Sequence, residues 1–221
     1  MQFATPDEAA FQTALKGLDE QASFAAAIGL NRMMAVLSPG SPVPKEERHT
    51  FVKARLAPIA EILRRSDIRL GLEFLGPLHF RRPSERSPHQ YIWTLNDTVA
   101  LAKEVGPNIG VVLDIWHWHH SGGTAADILA AGKSRIVHIH VSDAKAQPPE
   151  DVRDNQRLMP GEGVIDSVGF FQALKKIGYV DAVSPEPIGR VPAGMSAEEG
   201  ARLGLETTLA VMKKAGVFVT P

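Results

Sequence analysis

The feature that most constrains this chain is a repeated alternation of short apolar runs with helical patterns. The apolar runs are predicted strands, and they cover residues 32–37, 68–74, 109–114, 136–141 and 182–186. Strands that alternate with helices form parallel sheets with right-handed crossovers. Near-continuous apolar strands are typical of a sheet that is buried on both faces. The sequence therefore predicts one α/β domain over residues 1–221, with about five parallel βα units.

Composition and net charge limit the classes of function that this chain can have. The chain has 221 residues, of which 44% are hydrophobic and 22% charged, and its formal net charge is -1. Without a basic excess, a nucleic-acid partner is not expected. No secretory signal and no membrane-spanning apolar run are present in the sequence. The sequence has no cysteine, which excludes disulfides and thiol catalysis. We expect a cytoplasmic enzyme with a small-molecule partner, and a homo-oligomer is left open.

Polar side chains recur at the carboxyl ends of the predicted strands: Glu73, Asp114, His140 and Glu186. In parallel α/β folds active sites are built at these ends. A carboxylate buried there needs a metal or another cation, because an unpaired buried charge is costly. One such residue alone would be a cap or surface group, but four successive strands supply one each. The set predicts one divalent metal ion, with Mn²⁺ favoured and Mg²⁺, Co²⁺ or Zn²⁺ as alternatives.

Five segments in order extend this interpretation: GLEFLGP, VVLDIWHWHHSGG, IVHIHVSDA, RLMPGEGVID and SPEP. On these segments the chain resembles the sugar phosphate isomerase/epimerase superfamily, whose members are xylose isomerase-like TIM barrels. The resemblance covers roughly residues 25–215. It implies the same four metal ligands, Glu73, Asp114, His140 and Glu186. It further implies that His117 and Arg157 contact substrate oxygens.

The resemblance implies a metal-dependent isomerase or epimerase that acts on a sugar, sugar phosphate or polyol. Glu73 and Glu186 would transfer a proton next to a carbonyl through a metal-stabilised enediolate. Three alternatives remain open. One is a lyase similar to inosose or dehydroshikimate dehydratases. Another is a DNA-repair enzyme similar to endonuclease IV, with three zinc ions. The last is a catalytically inactive fragment or a binding subunit.

The chain departs from the family pattern in the number of strands that precede the first ligand. The family barrel has eight strands with its ligands on the last four, whereas here only the run at 32–37 precedes Glu73. We therefore expect a partial, N-terminally incomplete TIM barrel that lacks the first three strands of the family fold. The strands at 32–37 and 182–186 should be open edges, because five strands cannot close such a barrel. A partner chain would complete it, or the barrel stays open because the sequence begins late.

Each of three further sequence features allows two interpretations. Asp143 either orients His140 or caps its own loop. His138 is either a group that supports the metal ligands or a core histidine with a hydrogen-bond partner. The basic run at 81–86, within a predicted polar loop at 78–92, is either solvated or a phosphate grip.

Overall fold

The structure is a computed structural model that describes residues 3–5, 7–190 and 194–218. Its strands in chain order are β1 (Arg32–Leu37), β2 (Gly40–Ser41), β3 (Arg69–Phe74), β4 (His89–Gln90), β5 (Ile109–Asp114), β6 (Ile136–Val141) and β7 (Val183–Pro185). Its α-helices are α1 (Glu8–Ala27), α2 (Lys45–Arg65), α3 (Leu78–Arg81), α4 (Leu95–Val105), α5 (Ile115–His120), α6 (Ala125–Ala131), α7 (Ser167–Lys176) and α8 (Ala197–Lys214). None of the helices described is long and apolar enough to cross a membrane.

The main sheet has five parallel strands in the order β1-β3-β5-β6-β7. Its order follows the chain, as successive βα units require. Within the described residues β1 and β7 pair on one side only, so the barrel is not closed. The predicted five-stranded partial barrel and its two open edges are confirmed.

Two local predictions need correction, and one helix lies where none was predicted. The last strand is shorter than 182–186, since β7 ends at Pro185, which has no N–H to continue the ladder. Glu186 lies one residue beyond it, and its N–H still donates to the Val141 carbonyl at 2.8 Å. The predicted loop at 78–92 contains α3 and the strand β4, which pairs with β2 in a two-stranded antiparallel sheet. The helix α5 was not predicted at all.

The sheet register explains why the predicted ligands converge. Glu73 lies beside Val112, and Asp114, two residues later, lies beside His140. Residues that are adjacent across strands, or two apart along one strand, share a face of the sheet. Glu73, Asp114 and His140 therefore project from one face at the carboxyl end. Apolar side chains bury the opposite face against the helices, with Leu72 and Leu113 fully buried.

Candidate metal centre

Four side chains meet at the carboxyl end of the sheet. Glu73, Asp114, His140 and Glu186 each offer one ligand atom, and these atoms all lie within 4.8 Å of one another. Glu73, Asp114 and His140 are buried, while Glu186 is partly exposed. This is the only such group of three or more potential ligands in the described part of the chain. The structure thus brings together all four residues that the sequence predicts as ligands.

His140 faces both glutamates. Its Nδ1 lies 3.0 Å from Oε1 of Glu73 and 3.4 Å from Oε2 of Glu186. Burial alone lowers the pKa of His140, but the hydrogen bonds to Glu186 and Glu73 outweigh it and raise the pKa to about 10. The two carboxylates therefore favour positive charge at this position.

Asp114 has two tasks, one for each carboxylate oxygen. Oδ1 accepts the N–H groups of Trp116 at 2.7 Å and His117 at 3.3 Å, and so caps α5. Oδ2 accepts a hydrogen bond from Nη1 of Arg157 at 2.6 Å. Burial tends to raise the pKa of Asp114, but His117 and Arg157 hold it below its usual value. Asp114 is therefore an anion that both starts a helix and faces the cluster.

Arg157 reaches the cluster from the long loop between β6 and α7. Its Nη1 donates to Asp114 and, at 2.8 Å, to Oε2 of Glu186. Its Nε and Nη2 donate to Oδ1 of Asp154 at 3.0 and 2.7 Å. The guanidinium lies over the Trp116 ring at 4.7 Å and is buried. The residue that was predicted to contact substrate thus lies among the ligands.

His117, the other predicted substrate contact, is buried beside Arg157. Its Nε2 lies 3.3 Å from Nη2 of Arg157, which makes Nε2 the acceptor. Burial lowers the pKa of His117, which favours the neutral ring that this hydrogen bond requires. Its Nδ1 is buried and has no hydrogen-bond partner among the described residues. A buried N–H of this kind suits an oxygen of a bound ligand.

Asp154 was not identified from the sequence, and Asp143 and His138 each kept two interpretations. Asp154 precedes Arg157 by three residues, so the i,i+3 spacing of opposite charges was the available signal. Asp143 caps its loop and does not orient His140, because it accepts the N–H groups of Ala144, Gly161 and Ile165. His138 Nε2 lies 3.0 Å from Oγ of Ser184, which gives it a partner within the sheet.

The donor chemistry fits a divalent metal ion. Three carboxylates and one imidazole are a hard-to-borderline set of the kind that Mn²⁺, Mg²⁺, Co²⁺ and Zn²⁺ accept. Two of the three carboxylates are buried, and this concentration of negative charge, which Arg157 neutralises only in part, favours a bound cation. The ligand atoms lie within 4.8 Å of one another, and Arg157 Nη1, which donates to Asp114 Oδ2 and Glu186 Oε2, would move aside for a bound ion.

Comparison with known proteins decides the family. The sequence matches the family described as xylose isomerase-like TIM barrel over residues 1–213. The chain belongs to this family. It is 30% identical over 217 residues to an inosose isomerase from Halalkalibacterium halodurans, covering 96% of this chain and 72% of that protein.

Two solved structures extend the comparison. A xylose isomerase domain protein from Alicyclobacillus acidocaldarius superposes with a TM-score of 0.87 at 27% identity, covering 98% of this chain and 76% of that one. A structure of the IolI protein with a bound zinc atom superposes with a TM-score of 0.81 at 25% identity, covering 99% of this chain and 75% of that one. The solved structures similar to this chain thus include one with a bound zinc atom, and the relative from Halalkalibacterium halodurans is named an isomerase.

Proposed function

We propose that this protein is a metal-dependent isomerase or epimerase of sugars or related polyols. The observation that carries the proposal is the convergence of Glu73, Asp114, His140 and Glu186 within 4.8 Å. The similarity to an inosose isomerase supports the reaction class and makes a keto-inositol one substrate to test. A small-molecule partner and a cytoplasmic location are part of the same proposal.

The four residues would hold one divalent ion. When bound, the ion would act as a Lewis acid that polarises a substrate carbonyl and stabilises negative charge on its oxygen. We favour Mn²⁺ on the donor set, and zinc is the first alternative because the IolI structure contains it. Metal analysis of the purified protein would decide between them.

The protein's own groups would move the proton. Glu73 and Glu186 flank His140, so one can take the proton from the carbon next to the carbonyl while the other returns it. Return to the same carbon from the opposite face gives an epimer, and return to the neighbouring carbon gives an isomer. His117 would donate its free Nδ1–H to a substrate oxygen. Arg157 would hold a second oxygen with its fork of N–H donors.

The test measures proton exchange. The purified protein is first assayed for bound metal and then incubated in D₂O with a panel of ketoses and a keto-inositol. We expect solvent deuterium in the substrate carbon, and we expect Glu73→Gln and Glu186→Gln to abolish it, since a carboxamide is not a base near neutral pH. Glu206→Gln, at an exposed position of α8, is the matched control. Full exchange in either active-site variant would assign the acid/base role to other groups.

The alternatives give different outcomes in the same assay. A lyase would release water and leave a dehydrated product, which product analysis detects. An inactive fragment or binding subunit would hold metal but show no exchange. A three-zinc centre like that of endonuclease IV would need several histidine ligands, and the one cluster in the described residues has a single imidazole.

A further inference from the structure

A cavity elsewhere in the molecule is not lined by any of the four predicted metal ligands. It has a volume of about 350 Å³ and opens between α3, α5 and the loop after β6. The elements around it follow β3, β5 and β6, so the cavity is at the carboxyl end of the sheet. Its polar lining consists of Arg81, His119, His120, Lys145 and Gln147.

The charge of this lining is positive. Among the described residues that line the cavity there is no aspartate or glutamate. Arg81 and Lys145 form no ion pair with any residue that the structure describes. Arg81 is held in place by its Nε, which donates to the Gly76 carbonyl at 2.9 Å, and by the Trp93 ring at 4.0 Å. Its terminal nitrogens stay available to a ligand.

His120 lines the same cavity, and its Nε2 is shielded from it. Its Nε2 is buried and has no hydrogen-bond partner among the described residues. The ring packs edge-on against Trp116, with centroids 4.5 Å apart, and Trp116 in turn supports Arg157. Burial lowers the pKa of His120 to about 3, so the ring is neutral and can donate one N–H.

We propose that this cavity is a binding site for a phosphate group. A guanidinium, an ammonium, an imidazole and an amide line it on several sides, and a tetrahedral dianion can accept hydrogen bonds from all of them at once. A planar carboxylate would engage fewer of these donors. His120 of the lining packs on Trp116, whose ring contacts Arg157, and the phosphate group is either that of a phosphorylated substrate or free inorganic phosphate. The site does not depend on the proposed isomerase activity.

Calorimetric titration of the metal-loaded protein with inorganic phosphate tests the site directly. Lys145→Glu is the informative variant, because Lys145 is exposed and its replacement leaves the core intact. Lys133→Glu makes the same charge change at an exposed position that does not line the cavity. We expect Lys145→Glu to weaken phosphate binding by about tenfold or more and Lys133→Glu to leave it nearly unchanged. His120→Phe, which removes the ring nitrogens, should also weaken binding.

Two results would overturn the site. One is the absence of phosphate binding at ~10 mM, far above ordinary specific affinities. The other is binding that is equally strong in the parent protein and in Lys145→Glu, which would locate the phosphate elsewhere, including at the metal. Thermal melting of His120→Phe shows whether a loss of binding is only a loss of fold.

A second measurement on the same variants distinguishes a substrate phosphate from free inorganic phosphate. If the phosphate belongs to the substrate, Lys145→Glu raises KM for a ketose phosphate and leaves KM for the unphosphorylated ketose unchanged. If the site takes free phosphate, both KM values stay constant while the calorimetric affinity falls. A chain without exchange activity would contradict the proposed function, yet the calorimetric result would still decide the phosphate site.

Discussion

The Arg157 guanidinium contacts Asp114, Asp154 and Glu186, so it neutralises part of a dense carboxylate cluster. It is therefore more than a contact for substrate. Two of these three carboxylates are predicted metal ligands, so a bound metal ion would neutralise the same negative charges. The same residue thus bears on stability, on metal binding and on substrate affinity.

Arg157→Ala should destabilise the metal-free protein. The substitution leaves the buried Asp114 carboxylate without its cation, and breaking a buried ion pair costs about 3–5 kcal/mol. Added Mn²⁺ should recover part of the loss, because the ion replaces the missing charge. Thermal melting with and without Mn²⁺ measures both effects. In the metal-loaded variant we also expect a higher KM, and an unchanged KM with a lower melting temperature would make Arg157 purely structural.

At the scale of elements, the site depends on how each strand ends. The helix α5 begins directly after β5 because Asp114 itself caps it, which turns the chain and aims His117 at the cluster. The β6–α7 loop is ordered by Asp143, whose carboxylate holds three backbone N–H groups, and by paired hydrogen bonds between Asp143 and Leu158. These contacts position Arg157.

Two substitutions at Asp114 separate capping from metal binding. Asn keeps an oxygen that can accept the Trp116 and His117 N–H groups, whereas Ala removes the cap as well as the ligand. We expect both variants to lose metal affinity by at least about tenfold, since both lose the anionic ligand. Only Asp114→Ala should also lose about 1 kcal/mol of stability through the cap. Metal titration and denaturant unfolding give the two numbers, and equal stability of the two variants would contradict the capping role.

The strands and the four ligands could be predicted because strand ends and apolar runs are local signals. Glu73, Asp114 and His140 needed only the rule that alternate residues share a face. The positions of Arg157 and Asp154 could not be derived this way, since they depend on how a long loop folds over the sheet. The helix α5 escaped prediction because its run of Trp and His has no helical apolar periodicity and its cap is also a ligand. The phosphate interpretation of the run at 81–86 stays a prediction for Arg81.

At the scale of the whole molecule, the open sheet leaves apolar surface uncovered. On the edge strand β1, Met34 and Val36 are 48% and 51% exposed. Beside the other edge, Val180 is 89% exposed. Unpaired edge strands with apolar side chains pair readily with another chain. Surface of this kind therefore favours association over a dispersed monomer.

We expect this 221-residue chain to self-associate at micromolar concentration, because two apolar edges are available on each copy. Sedimentation velocity over a concentration series measures the association. Met34→Lys should shift the distribution toward monomer, since a lysine on an edge strand opposes pairing by charge and by solvation. Leu129→Lys, at an exposed apolar position of α6 away from the edges, is the matched control and should change nothing. A parent protein that stays monomeric throughout the series would show that neither edge is used, and the exposed face of β1 would then be tolerated rather than paired.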